Sequence, residues 1–97
     1  MMTETKPITL TEDDFGTLCI CAIRYCHGRQ TYMPSLVQGI VTQHLDDLSD
    51  KDVYVLLQDC DFQEQFHLFG DDRVDKPNWL KYRAIIEVEC DKRGIRR

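Results

Sequence analysis

The sequence has no long apolar run. No stretch approaches the roughly 20 residues that a helix needs to cross a bilayer, which argues against a membrane protein. The opening MMTETKPITLTEDD carries one lysine and no apolar core, so it does not read as a secretory signal. Signatures of nucleotide and metal chemistry are missing too: no P-loop, no G-x-G-x-x-G, no H-E-x-x-H and no EF-hand loop. The chain has no C-x-x-C pair, no internal repeat and no low-complexity tract. Its cysteines number five, an odd count. Irregularly spaced cysteines on apolar helix faces read as reduced core thiols in a reducing, cytoplasmic compartment. Cys19, Cys21, Cys26 and His27 could ligate zinc by residue type. Residues 19 and 21, however, point about 200° apart on a helix. No metal and no cofactor is expected, and no catalytic site is legible.

What is present is a chain of 97 residues with a formal charge of −5, unevenly spread. The expectation is one helical domain over residues 11–97 behind an N-terminal extension, residues 1–10. Residues 44–76 hold ten acids against three bases, while residues 77–97 hold three acids against six bases. The acidic middle repels nucleic acid and argues against direct nucleic-acid binding. Only the segment with Lys81, Arg83, Lys92, Arg93, Arg96 and Arg97 has the charge for it.

The fold class expected from periodicity is mainly α, a compact four-helix domain. Thr11 followed by three acids reads as a helix start. Phe15, Leu18, Cys19, Ala22, Ile23 and Cys26 then share one face, with Gly28 as a left-handed stop. The rest of this helix is so apolar that it reads as central to the core. Pro34 suits the first turn of a second helix, with Leu36, Val37, Ile40, Val41, Leu45 and Leu48 on its apolar side and His44 among them, read as a core histidine. Ser49-Asp50-Lys51-Asp52 opens a third helix with Val53, Leu56, Leu57 and Cys60 inward. Val55, Phe62 and Phe66 lie about half a turn off that face. The helix is therefore either buried on two sides or ends near Asp61. Asp75 and Pro77 read as the cap and first turn of a fourth helix, with Trp79, Tyr82, Ile86 and Cys90 inward and Gly94 as its stop. A strand over residues 85–90 is the competing reading.

Two surface features stand out. Arg24, His27, Arg29 and Tyr32 form an anion-binding corner, with two guanidinium forks and an aromatic shelf. The same cations suit a helix C-terminus, or could pair with the chain's own acids. The second feature is Phe62, Phe66 and Phe69 among Asp59, Asp61, Glu64, Asp71 and Asp72. That is an apolar patch with a charged rim, as interaction surfaces are built, if it is not core. A Cys–His nucleophile pair drawn from Cys26 or Cys60 has no supporting local motif.

The segment Cys21-Ala22-Ile23-Arg24-Tyr25-Cys26-His27-Gly28-Arg29-Gln30-Thr31-Tyr32 resembles an A-[IL]-R-Y-x-x-G-R-x-T-Y block found in short accessory proteins of bacteriophages and integrative elements. The block spans about an eighth of the chain. Size, acidity and lack of an active site are also similar, in type alone, to phage anti-defence proteins such as anti-CRISPR inhibitors. The resemblance implies a non-enzymatic binding protein that occludes a host or defence-system protein through the acidic, aromatic surface. The alternatives are a structural component acting as a homodimer or larger homo-oligomer, and a small ligand-binding domain using Arg24, His27 and Arg29.

Overall fold

The computed structural model describes residues 10–29 and 32–96. Most of the expected N-terminal extension lies outside the described residues, as do Gln30, Thr31 and Arg97. Among the described residues four α-helices and one short 3-10 turn make up the fold, and none of these helices is long and apolar enough to cross a membrane.

Thr11 opens α1 (Glu12–Cys26). Its hydroxyl accepts from the Asp14 amide at 3.1 Å, and the Asp14 carboxylate accepts from the Thr11 amide at 3.4 Å. This reciprocal box satisfies two amides that the first helical turn leaves without partners. Cys19, Ile23 and Cys26 are buried as the periodicity predicts. The helix is nevertheless not central, because Leu18 and Tyr25 stay exposed. It packs chiefly on two neighbours, which cover only part of its circumference.

Pro34 sits in the first turn of α2 (Met33–Gln43), where its missing N–H costs nothing. Val41 is buried, yet Leu36 and Ile40 are exposed. His44 is not a core histidine. The helix ends before it, and its exposed ring meets Phe15 edge-on and Asp47 at 3.2 Å. The 3-10 turn Leu45–Asp47 then brings Leu45 and Leu48 inward.

Ser49 caps α3 (Asp50–Gln65), accepting from the Asp52 amide at 3.2 Å. The helix runs on past Asp61 and is buried on two sides, toward α1 and toward α4. It ends in an unusual way, with His67 at φ 55° in the left-handed region that glycine normally supplies. The Leu68 amide bonds the Gln63 carbonyl, and the Gln63 side-chain amide donates to the Leu68 carbonyl, both at 2.9 Å. Gly70, at φ 83°, completes the reversal. A Cβ there would lie 2.9 Å from the Arg29 carbonyl oxygen, so no larger residue fits.

Residues 85–90 belong to α4 (Asp75–Arg93) and form no strand. Trp79, Tyr82, Ile86 and Cys90 are buried on one face, each large apolar side chain contributing about 1.5–3 kcal/mol. Gly94 closes the helix in the left-handed conformation, as expected. Its start differs from the sequence reading. Val74 occupies the cap position, and Asp71 accepts from the Arg73 and Val74 amides at 2.7 and 3.2 Å. Asp75 instead reaches back to the Asp71 amide at 2.9 Å.

The helices pack in a ring of neighbours, α1 on α2 and α3, and α4 on α3 and α2. Successive helices reverse direction. At one end the Gly28 amide bonds the Leu68 carbonyl at 2.9 Å. At the other, Arg93 donates to the Leu45 and Leu48 carbonyls at 2.7 and 2.8 Å.

Candidate functional site

The fold joins parts of the two surface features seen in the sequence. Arg24 and His27, one turn apart at the end of α1, face α3 across 35 positions of sequence and meet Asp59. Arg24 Nε donates to Asp59 Oδ1 at 3.1 Å. His27 Nε2 lies 2.9 Å from Asp59 Oδ2 without the alignment of a hydrogen bond. The Asp59 side chain is only 4% exposed, whereas that of Arg24 is 60% exposed. Asp59 is therefore not part of an acidic docking surface. It is a buried carboxylate neutralised from α1.

Beside this pair opens a cleft of about 510 Å³, lined by Arg24, His27, Gln58, Asp59, Phe62 and Leu68. Phe62 and Phe66, one helical turn apart, lean on each other with ring centroids 4.7 Å apart. Both are about half exposed. The outer nitrogens of Arg24 make no hydrogen bond or ion pair within the described residues. Behind the cleft, in the core, the His27 ring stands edge-on to Trp79, which stands edge-on to Tyr82. The buried Trp79 Nε1 and Tyr82 hydroxyl have no hydrogen-bond partner in the protein. Burial pushes the Tyr82 hydroxyl well above its usual range, with Cys60, Asp59 and Cys19 adding to the effect.

The remaining predicted positions scatter. Phe69 is 3% exposed and belongs to the core, since the reversal after α3 turns it inward. Asp61 and Glu64 lie on the other flank of α3, held by Arg83 of α4 at 2.6 and 3.1 Å. They therefore do not frame the phenylalanines. Asp71 is spent on the turn before α4, and Asp72 is exposed on that turn. Arg29 bends back over the Tyr25 ring at 4.0 Å and donates to the Tyr25 carbonyl. Tyr32 is 80% exposed and lines no part of the cleft. The anion-binding corner thus reduces to Arg24 and His27.

Gln58 and Leu68, which line the cleft, were not singled out as site residues. Nothing in local spacing ties them to Arg24. The one usable signal was that Phe62 and Phe66 sit off the inner face of α3.

The thiols are not set up as nucleophiles. Burial pushes Cys60 up to about 12, with Arg83 opposing and Asp59, Asp61 and Glu87 reinforcing. Cys26 is also raised by burial, with Arg29 opposing. Activated cysteines shift the other way. Cys21 is exposed while Cys19 and Cys26 are buried, and no three ligating side chains converge among the described residues.

No known protein family matches the chain, and neither the curated proteins nor the solved structures contain a match to it.

Proposed function

We propose that this protein is a binding module that captures another protein at the α1–α3 cleft. Phe62 and Phe66 are the apolar anchor and Arg24 is the charged contact. The observation that supports this reading most is the exposed Phe62–Phe66 pair, on a helix whose buried faces are already occupied by other residues. Aromatic and arginine side chains carry a disproportionate share of interface energy. Covering the exposed halves of two phenylalanines is worth about 2 kcal/mol by area alone. The chemistry fits a partner segment with an apolar side chain next to a carboxylate, the carboxylate taking the outer nitrogens of Arg24. The resemblance of residues 22–32 to phage accessory proteins suggests a host or defence-system protein as that partner. The docking mode differs from the acidic face expected from sequence, because Asp59, Asp61 and Glu64 are paired internally.

The test is affinity capture with the intact chain, followed by titration of each captured protein. Phe62→Ala/Phe66→Ala should weaken binding at least tenfold while the fold is retained by circular dichroism, and Arg24→Glu in the Asp59→Asn background, where no buried charge is left unpaired, should weaken it as much. Val88→Ala, on the exposed side of α4, should change nothing. Full binding by the double phenylalanine variant overturns the proposal.

A further inference from the structure

Gln38 is the buried polar side chain of α2. It is 8% exposed, and its Nε2 has no hydrogen-bond partner in the protein. A buried N–H that has given up water without gaining an acceptor costs stability, so it marks a place where an acceptor is expected. Gln38 lines a groove of about 250 Å³ between α2 and α4. The two helices point the same way, and their lining residues follow at the same spacing: Ser35, Gln38, Gly39 and Thr42 on α2, Asn78, Lys81, Tyr82 and Ile85 on α4. Lys81 therefore stands across from Gln38. Its ammonium group is exposed and makes no ion pair within the described residues. No acid lines the groove, in a chain with 17 acids against 12 Lys and Arg.

The room in the groove comes from Gly39. A Cβ added there meets nothing within 4 Å, and the position has no positive φ that calls for glycine. Glycine weakens a helix relative to alanine. Neither packing nor backbone geometry accounts for it here, whereas open space beside a buried donor and an unpaired cation does.

We infer that this groove binds a small organic carboxylate with a short apolar tail. The Gln38 amide and the Lys81 ammonium both donate, and a carboxylate accepts from both, with the charge on Lys81 strengthening the contact. The tail passes over Gly39 and lies on the aromatic and aliphatic surface of Tyr82 and Ile85. The groove is smaller than the pockets that take drug-sized ligands. Allowing about 30 Å³ for each non-hydrogen atom, the share of one water in the liquid, it has room for roughly eight such atoms, the size of hexanoate. So few atoms bind weakly, in the millimolar range.

The groove shares no residue with the Phe62–Phe66 cleft, and the two proposals fail independently. The test is an NMR titration of the intact chain that follows the side-chain amide signals of Gln38. Hexanoate should shift them saturably. Butanoate, two methylenes shorter, should bind at least threefold more weakly, and hexan-1-ol, which has the tail without the charge, at least tenfold more weakly. Lys81→Gln alters an exposed position, and Gly39→Leu fills the groove. Each should weaken hexanoate binding at least tenfold, and Gly39→Leu should at the same time raise the melting temperature. Phe62→Ala/Phe66→Ala should leave hexanoate binding as it is. The absence of a saturable shift overturns the inference. So does equal binding of hexan-1-ol or of inorganic phosphate, hexanoate binding that survives both groove variants, or its loss in the double phenylalanine variant.

Discussion

At the residue scale, Asp59 shows how a charge is made tolerable inside a small protein. A carboxylate this enclosed has lost most of its water and depends on Arg24 and His27. The partners are unequal, because Arg24 is largely exposed and can be rehydrated. Arg24→Ala should therefore cost about 1–3 kcal/mol by leaving a buried charge half compensated. Asp59→Asn should cost less, and Arg24→Ala should cost almost nothing in the Asp59→Asn background. Urea unfolding of the two single variants and the double variant measures this, and additive losses would contradict the pairing. The pair was only half legible in the sequence. Arg24, His27 and Asp59 could be singled out by type and local position. Their meeting could not, because it depends on how two helices 35 positions apart are rotated against each other. Phe69 was misplaced for a related reason. Three phenylalanines in eight residues look like one patch only while the helix continues, and α3 ends before the third.

At the element scale, helix ends were the most readable feature. The Thr11–Asp14 box and the Ser49 cap are local chemistry, fixed by residues three apart. Residues 85–90 were ambiguous because alternation and helical spacing coincide over so short a run. What sequence does not show is where two helices come closest. Gly16 of α1 faces the Asp52 carboxylate of α3 so tightly that a Cβ would collide with it. On an exposed helix, Gly→Ala stabilises by about 1 kcal/mol. Here the sign should reverse, with Gly16→Ala losing about 1–3 kcal/mol through overpacking. Adding Asp52→Ala should recover most of the loss. Thermal or urea unfolding decides it, and a stabilised Gly16→Ala would mean that the helices are further apart.

At the scale of the whole molecule, charge is organised more evenly than the sequence suggests. The acidic middle and the basic C-terminal segment neutralise each other in part, Arg83 with Asp61 and Glu64, and Arg93 with Asp50. Those arginines are thereby withdrawn from any nucleic-acid surface. The core also makes the fold sensitive to base. Cys60 is raised from an ordinary 9.0 to about 12, and Cys19, Cys26 and Tyr82 are raised as well. Between pH 9 and 12 the folded chain holds protons that the unfolded chain releases. Stability is therefore complete below pH 9 and falls as the pH rises through that window, by about 1.4 kcal/mol per unit for each fully titrating group. Urea midpoints measured upward from neutral pH should be level and then decline, and a flat profile to pH 11 would contradict the buried thiols.

The two ends of the molecule are fastened by different means. Where α1 and α3 finish, the tie between Gly28 and Leu68 is made by main-chain atoms, an N–H and a carbonyl. At the opposite end one guanidinium, that of Arg93, spans the chain from α4 to Leu45 and Leu48. The first fastening loses its own atoms only to proline at position 28, which has no N–H to donate. The second hangs on a single codon, and that is the end at which heredity can loosen or tighten the structure in one step.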